Sequence, residues 1–532
     1  MKYSSITKKF IEHNKNIFLR SKCKEYSRPI VLFEYNEMHS AHIAYSYLAN
    51  ILIKNNRYQI KCYNKNRHHD FFRSILFKLR KLLHFNQYQV YKSFGANELI
   101  EINISYAQKN RAKKLFSEIF YQLKTKQDIE ELKINNIWIG DLIYDTFLMT
   151  FKKPTIEKDS LLFKHFFLAS IELFIFWDDY FNHNDVRAVN LSHCVYNLAI
   201  PLRIAIQMDI PVFQTNATHV YRLNKENLFA YSDYYRFPES FKALPIEIRK
   251  LGTEEAKSRL KRRFDGEAGI DMEYSTKSAF GNSRHERLLK KTSRKKVLIA
   301  THCFFDSPHG YGNNIFPDFY EWLDFLGKIT EETDYDWYIK THRDYLPGTK
   351  EIVDFFVRKY PRFKLLPTNS SHNQIIAEGI DVALTVFGTI GVEYAALGIP
   401  VINASQCNPH IAYDFNIHAK DEDDYRRILL QLDKLDFTVN KQQVYEYYFM
   451  RNIYNSENIF FKNYNKTIEE IGGYKQQFTS DIYNKWLDEW SNEKHKSIIA
   501  ALDLFIKSND FRMDYRHQGQ ECPINEIHEN SD

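Results

Sequence analysis

Residues 380–402, which read IDVALTVFGTIGVEYAALGIPVI, constrain this chain more than any other stretch. An apolar strand is predicted over 382–386, and it runs into a glycine-containing turn at 388–391. A helix is predicted over 392–397, and a second apolar strand follows it. Strand, glycine turn and helix in this order aim unbonded N–H groups and the positive end of the helix dipole at one sheet edge, which favours phosphate.

The composition narrows the class of protein. A chain of 532 residues predicts two domains plus appendages. The net charge of +6 is small for this length, which argues against a dedicated nucleic-acid binder and allows loose attraction to an anionic membrane face. The six cysteines are scattered and none forms a C-x-x-C pair, so neither a zinc knuckle nor a disulfide framework is indicated. A reducing cytoplasm fits this usage.

Neither a leader nor a membrane span is predicted. The first residues contain no apolar core of signal-peptide length. The most apolar segment, 161–181, is interrupted by Lys164, Glu172 and Asp178, which is too much charge for a bilayer and typical of a buried or amphipathic helix. We therefore expect a cytoplasmic protein, with a peripheral contact at the cytoplasmic face of the inner membrane allowed by its charge.

Strands alternate with helices over most of the chain, with short connections, and this alternation predicts parallel sheets. The predicted strands lie at 29–33, 58–63, 186–191, 210–214, 297–300, 337–339, 363–366 and 382–386. The predicted fold class is α/β, with two Rossmann-like domains facing a cleft and a helical C-terminal region. The predicted domains are an N-terminal arm (1–28), a first Rossmann-like domain with an insertion (29–290), a second Rossmann-like domain (291–440), and C-terminal helices with a polar tail (441–532).

The glycine turn offers the first candidate site. The Thr389 hydroxyl and the following N–H groups, with those of Gly388, Ile390 and Gly391, could hold a phosphate. Glu393 in the first helical turn could accept from a ribose hydroxyl. The alternative is an ordinary glycine turn whose glutamate stabilises the helix dipole.

Two further loops follow predicted strands of the same domain. The run Lys340-Thr341-His342-Arg343 places three potential cations at a strand end, which suits a diphosphate or a sugar carboxylate, unless the run is a solvated turn. The loop 301–312 carries His302, Asp306 and His309. Imidazole and carboxylate are metal ligands, but this spacing matches no zinc pattern, so we predict no metal site.

The first half of the chain must supply a general base if an acceptor hydroxyl is to be deprotonated. The candidates are Glu34, Glu37, His39, His42, Asp141, Asp145, His193 and His219. Glu37 and Asp141 are the preferred residues because each lies near a strand end or a glycine turn. For every one of them, a helix cap or a satisfied polar contact is the competing interpretation.

Residues 297–440 resemble the nucleotide-binding half of GT-B glycosyltransferases, and most closely the bacterial capsule and surface-polysaccharide group that includes the Kdo transferases. Members carry a strand followed by K-P-H-P, and later a strand followed by G-T-x-G-x-E-A-x-x-x-G-x-P-V. The second motif is matched by Gly388, Thr389, Gly391, Glu393, Ala396, Gly398, Pro400 and Val401, with Tyr394 in its small-residue stretch. The first is matched by Lys340 and His342 without either proline.

The resemblance implies transfer of a sugar from a nucleotide-activated donor to a polysaccharide or lipid-linked glycan acceptor, with no bound metal or cofactor required and no nucleic-acid partner. The implied donor-binding residues are His302, Lys340, His342, Gly388, Thr389, Ile390, Gly391 and Glu393. The catalytic candidates are then Glu37 and Asp141 as bases, with His342, and both Lys340 and His342 would stabilise charge on the departing phosphate.

Three other functions stay open on the sequence. A polyol-phosphate transferase of the teichoic-acid type and a UDP-sugar 2-epimerase share the fold. A non-catalytic protein of the polysaccharide assembly machinery could retain it. An epimerase needs no second sugar, a transferase requires an acceptor, and a scaffold binds nucleotide weakly or not at all.

Overall fold

The computed structural model describes residues 4–18, 29–56, 58–64, 87–230, 232–271, 278–281, 286–342, 347–455 and 459–519. The strands are β1 (Ile30–Glu34), β2 (Gln59–Tyr63), β3 (Ala96–Ile100), β4 (Lys133–Ile134), β5 (Ile137–Trp138), β6 (Val186–Leu191), β7 (Val212–Thr215), β8 (Val220–Leu223), β9 (Lys296–Ala300), β10 (Asp336–Lys340), β11 (Phe363–Leu365), β12 (Val382–Thr385), β13 (Val401–Asn403) and β14 (Ile417–His418).

The described α-helices are α1 (Ser5–Ile17), α2 (His39–Asn56), α3 (Tyr88–Ser93), α4 (Tyr106–Phe120), α5 (Lys126–Glu130), α6 (Gly140–Phe151), α7 (Leu161–His183), α8 (Ile200–Gln207), α9 (Phe237–Ala243), α10 (Ile246–Phe264), α11 (Phe319–Glu332), α12 (Thr349–Lys359), α13 (His372–Ala377), α14 (Ile390–Ala396), α15 (Glu422–Leu430), α16 (Lys441–Phe449), α17 (Tyr464–Glu470), α18 (Asp481–Glu489) and α19 (Asn492–Lys507).

Two six-stranded sheets organise these elements, with orders β3-β2-β1-β6-β7-β8 and β11-β10-β9-β12-β13-β14. The second sheet is parallel throughout, and in the first only β8 runs antiparallel to its neighbour β7. Counted within its own sheet, each order is 3-2-1-4-5-6, which is the Rossmann arrangement. The predicted α/β class with two Rossmann-like sheets is therefore confirmed.

Strand β9 shows why the sequence specifies a central parallel strand. Val297 and Ile299 pack into one apolar cluster, and Leu298 packs into another on the opposite face. A strand covered by helices on both faces needs a near-continuous apolar run, and this one has it. Helix α11 begins at Phe319 because the Asp318 carboxylate accepts the N–H of Glu321 at 2.8 Å and caps the helix there.

The described residues belong to two compact units. The first comprises the described residues of 4–143, 158–230 and 459–519, and the second comprises those of 144–157 and 232–455. This division differs from the predicted domain limits: the described residues of 144–157, 232–290 and 441–455 belong with the second sheet, and those of 459–519 belong with the first. Sequence patterns identify helices well but do not say which sheet a helix covers.

The core of the first unit includes α1, near the start of the chain, and α18 and α19, nearer its end. Phe10 of α1 is fully buried and stacks on Tyr483 of α18, with ring centres 4.1 Å apart and ring planes 5° from parallel. Phe505 of α19 is also fully buried and lies edge-on to Phe213 of β7. The predicted N-terminal arm is thus a helix packed into this core over Ser5–Ile17, while the rest of the arm lies mostly outside the described residues.

Helix α7 covers the segment considered as a membrane span. Ser160 caps it by accepting the N–H of Phe163 at 3.2 Å, and its apolar residues are buried along one face. In the part of the chain that the structure describes, no helix is both long enough and apolar enough to cross a bilayer.

We expect Phe505→Ala to lower the free energy of unfolding by about 3–5 kcal/mol, because it removes a buried ring from the core of the first unit. The matched control is Leu504→Ala on the same helix, where the side chain is 53% exposed and the change should stay within about 0.5 kcal/mol. Urea unfolding of both variants measures the difference. Equal stabilities would show that α19 contributes nothing to this core.

Candidate functional site

The glycine turn follows β12 at the point where the order of the second sheet reverses, between β9 and β12. Open α/β sheets bind their ligands at the carboxyl ends of strands beside this reversal. The Gly391 N–H donates to the Gly388 carbonyl at 3.0 Å, which closes the turn. The amide N–H groups of Thr389 and Ile390 donate to no acceptor among the described residues. Two donors are thus available to a ligand at the predicted place.

Side chains of this turn differ in part from their predicted roles. The Thr389 hydroxyl does not cap α14, so the expected capping hydrogen bond is absent from the described structure and the hydroxyl is available to a ligand. A Cβ on Gly391 would lie 2.5 Å from Cε1 of His410, so this glycine makes room for a histidine ring. Gly388 is needed because a Cβ there would lie 2.7 Å from the Thr385 hydroxyl.

His302 is joined to this turn by hydrogen bonds. Its Nε2 accepts the N–H of Val386 at 3.2 Å and lies 3.0 Å from the Thr385 hydroxyl. That hydroxyl in turn accepts the N–H of Gly388 at 3.1 Å. Burial, and secondly the charge of His342, lower the pKa of His302 to about 3. The imidazole is therefore neutral, and since Nε2 accepts, the proton is on Nδ1.

The ring of His302 is held in place by aromatic contacts. It stacks on Phe319 of α11, with ring centres 4.6 Å apart, and lies 4.8 Å from the ring of Phe387. The ring orientation is thus fixed from two sides before any ligand arrives. His302 was predicted as a donor-binding residue from its position after a strand, and the structure brings it to the glycine turn.

Lys340 occupies a different environment from the one predicted. The side chain is buried, and its ammonium donates to the carbonyls of Thr368 at 2.7 Å and Thr341 at 3.2 Å. These bonds tie the end of β10 to the loop after β11 and support a structural role. His342 is exposed and close enough to His302 to act on its pKa. Arg343, the third predicted cation, lies outside the described residues.

Glu393 is buried and forms an ion pair with Arg263 of α10, whose Nε donates to its carboxylate at 2.8 Å and whose Nη2 donates to the same oxygen. Arg263 also donates to the carbonyl of Ile270 at 2.8 Å. The carboxylate predicted to hold a ribose therefore anchors α10 on α14. A ribose would have to compete with a charge-assisted, two-point interaction.

Asp141 is buried in the first unit, at the start of α6. Its carboxylate accepts from Arg203 at 2.6 Å, and both side chains are almost fully buried. Arg203 also donates to the carbonyl of Trp138 at 3.2 Å and lies over the Trp138 ring. A carboxylate held in this way is a poor proton acceptor for a substrate hydroxyl. Asp141 as a base stays a prediction, and its contacts support a structural role.

The other candidate bases near β1 differ in their exposure to solvent. Glu34 is buried and accepts from the Ser192 N–H at 2.6 Å, the Ser192 hydroxyl at 2.8 Å and the Tyr45 hydroxyl at 3.1 Å. His42 donates from Nε2 to the Asn36 carbonyl at 2.8 Å, and burial, then His39, lower its pKa to about 3. Glu37 is exposed in the loop between β1 and α2.

The loop considered for metal binding is used to hold the second unit together. His309 is buried, and its Nδ1 lies 2.6 Å from the Asp145 carboxylate. Asp306 is exposed. Across the described ranges, no group of three or more His, Cys, Asp or Glu side chains is placed to hold a metal ion.

Sequence reasoning missed Thr385, whose hydroxyl links His302 to Gly388. The signal was present: a threonine ends an otherwise apolar strand, three residues before the turn glycine. A buried hydroxyl at that place must find hydrogen-bond partners, and the turn supplies one.

No family model and no curated protein matches this chain. Among solved structures, it is similar to KpsC of Thermosulfurimonas dismutans, a beta Kdo 2,4 transferase, at 14% identity over 49% of this chain and 79% of that chain, with a TM-score of 0.31. It is also similar to the UDP-GlcNAc 2-epimerase of Neisseria meningitidis bound to UDP-GlcNAc, at 12% identity over 83% of this chain and 98% of that chain, with a TM-score of 0.21.

A third similar structure is the UDP-GlcNAc 2-epimerase of Methanocaldococcus jannaschii in complex with UDP-GlcNAc and UDP, at 10% identity over 78% of this chain and 97% of that chain, with a TM-score of 0.23. Structural similarity at these TM-scores does not indicate the activity of this protein. The GT-B resemblance holds at the level of fold, where the two sheets of Rossmann order carry it.

We expect His302 to make the fold sensitive to acid. Its pKa is about 3 in the folded protein and about 6.5 in an unfolded chain. Its contribution to stability is complete above about pH 6.5 and is lost as the pH falls toward 3, because only the unfolded state takes up the proton in that window. In urea unfolding between about pH 7 and pH 4, His302→Gln should therefore lose less stability than the wild type. His165→Gln, at an exposed position, is the control, and equal losses in all three proteins would contradict the assignment.

We expect Asp141→Asn to lower the free energy of unfolding by about 3–5 kcal/mol, because it leaves the Arg203 guanidinium buried without a counter-charge. Replacing both residues, as Asp141→Leu with Arg203→Met, should recover much of that loss. Asp159→Asn removes an exposed ion pair with Lys158 and should cost less than about 1 kcal/mol. A fully stable Asp141→Asn protein would rule out the structural role and restore Asp141 as the leading base.

Proposed function

We propose that this protein is a glycosyltransferase that moves a sugar from a nucleotide-activated donor to a hydroxyl of a surface polysaccharide or glycolipid. The observation that carries this proposal is the pair of unbonded N–H groups at Thr389 and Ile390. They lie at a strand end beside the reversal of a Rossmann sheet, which is where α/β proteins bind nucleotide phosphates.

The donors at this site suit a leaving group that gains negative charge. Amide N–H groups do not titrate, and they keep their orientation whether or not a ligand is present. His302 adds a neutral Nδ1–H that its low pKa keeps from changing charge near neutral pH. Fixed donors aimed at developing charge are worth roughly 3 kcal/mol each in transition-state stabilisation. The exposed His342 fits its predicted role beside the departing phosphate.

The proposed chemistry has one bond forming and one breaking. The acceptor oxygen attacks the anomeric carbon, and the bond from that carbon to the phosphate oxygen breaks. The electron pair leaves with the nucleotide, and the hydroxyl proton passes to a base. Glu37 and Asp141 stay the predicted bases, and the ion pair of Asp141 with Arg203 makes Asp141 the poorer proton acceptor. We retain the expectation that transfer needs no bound metal or cofactor.

A nucleotide panel tests this proposal. Isothermal titration of the full chain with CMP, CDP, UDP and GDP should find at least one ligand with a dissociation constant below about 1 mM, or about −4 kcal/mol. Incubation with the matching sugar nucleotide and an acceptor should release nucleotide and give a lengthened glycan. Release of a changed free sugar nucleotide without an acceptor would instead indicate an epimerase. No binding by any nucleotide would refute the proposal.

We expect Thr389→Val to weaken nucleotide binding by about tenfold, because a hydroxyl bonded to a phosphate is worth roughly 1–2 kcal/mol. The thermal unfolding midpoint should not change, since this hydroxyl makes no capping bond in the described structure. Thr253→Val is the control: its hydroxyl bonds only to carbonyls of its own helix, α10, and nucleotide affinity should stay at the wild-type value. Equal affinities in both variants would place the phosphate elsewhere.

A further inference from the structure

Arg451 lies in an unusual stretch of backbone. Helix α16 continues beyond Phe449 as a π-helical turn over Met450–Tyr454, and wide turns of this kind are frequent at functional sites. The guanidinium lies 5.3 Å from the ring centre of Tyr234 and 6.0 Å from that of Tyr447. Its Nη1 donates to the Tyr447 hydroxyl at 2.7 Å.

This guanidinium has no acidic partner. Within the ranges that the structure describes, no ion pair joins Arg451 to an aspartate or glutamate, and Tyr447 is its only hydrogen-bond acceptor. Desolvating a charge costs several kcal/mol unless a partner offsets it. Arg203, which is buried, has such a partner in Asp141, whereas Arg451 is half-buried. The Arg451 guanidinium therefore keeps N–H donors that the described chain does not use.

Contacts on one side link Arg451 to the end of the glycine turn. The ring of Tyr447 lies 5.0 Å from that of His410, edge-on, and the His410 ring packs against Gly391. Burial, then the charge of Arg451, lower the pKa of His410 well below its usual range. His410 is 1% exposed, and its Nε2 has no hydrogen-bond partner among the described residues.

Contacts on the other side link Arg451 to the start of the same turn. Tyr234, which lies under the guanidinium, is 6.1 Å from Tyr311, and Tyr311 is 5.0 Å from Phe387. Phe387 directly precedes Gly388. Aromatic rings thus connect Arg451 to both ends of the turn that offers the unbonded N–H groups.

We propose that Arg451 binds anionic oxygens of the donor, with its planar guanidinium facing either the phosphate or a carboxylate of the transferred sugar. The inference rests on the proposed function and adds the cation that Lys340 does not supply. Guanidinium groups bind both anions through paired N–H bonds, which fixes orientation as well as charge. The tyrosine rings cover part of this cation, and a partly desolvated charge attracts an anion more strongly.

The test compares Arg451→Met and Arg451→Lys with the wild type by isothermal titration. The probes are UDP, UDP-glucose, UDP-glucuronate, CMP and CMP-N-acetylneuraminate. For each nucleotide, ligands with and without a sugar carboxylate are compared, which distinguishes binding of the phosphate from binding of the carboxylate. We expect Arg451→Met to bind at least about tenfold more weakly. Arg451→Lys should not restore affinity, because an ammonium lacks the paired donors. Arg426→Met, at an exposed ion pair with Glu332, is the control and should bind normally.

The pattern of losses identifies the anion. Weaker binding of every probe supports phosphate, and weaker binding of only the two sugar acids supports a carboxylate. The thermal unfolding midpoint of Arg451→Met should not fall, since the change removes an uncompensated charge. Unchanged affinity for all probes, or a lower midpoint with unchanged affinity, overturns the role of Arg451 while leaving the Thr389 result to decide the function. If the wild type binds only CDP or GDP, the same variants are compared with that nucleotide, and if it binds no nucleotide, both proposals fail.

Discussion

The candidate site depends on one chain of hydrogen bonds that joins two neighbouring strands of the second sheet. The Gly388 N–H donates to the Thr385 hydroxyl, which lies within hydrogen-bond distance of His302. This arrangement fixes the glycine turn after β12 against the loop after β9. It also holds the imidazole in one tautomer, because the Val386 N–H occupies Nε2. Donors that are fixed before a ligand binds need no reorganisation when charge develops.

The charged side chains of this protein divide into those neutralised by a group of the protein and those that could bind a ligand. Asp141 is paired with Arg203, Glu393 with Arg263, and the Lys340 ammonium with carbonyls. Each of these contacts compensates a buried charge and so serves the fold. Arg451 carries its charge beside tyrosine rings instead, within the described chain. A charged residue at a strand end is therefore not always a ligand-binding residue, because another group of the protein can neutralise its charge.

Several elements were predictable from the sequence because their signals are local. The apolar runs of β9 and β12 are those of strands buried on both faces, and the turn between β12 and α14 is fixed by its glycines. The position of His302 near this turn followed from parallel topology, since strand ends of one sheet meet at one edge. The assignment of the described residues of 457–523 to the first unit was not predictable, because the apolar face of a helix does not indicate which sheet the helix packs against.

By itself, the sequence determined two Rossmann-like sheets and a phosphate-type turn at 388–391, since both follow from residue type and spacing along the backbone. Only the tertiary structure decided which polar residues remain available there. It placed Arg263 on Glu393 and two carbonyls on Lys340, and it brought Arg451 from a distant helix toward the turn. The reason is that charge compensation acts through space, between residues whose separation in sequence carries no information about their contact.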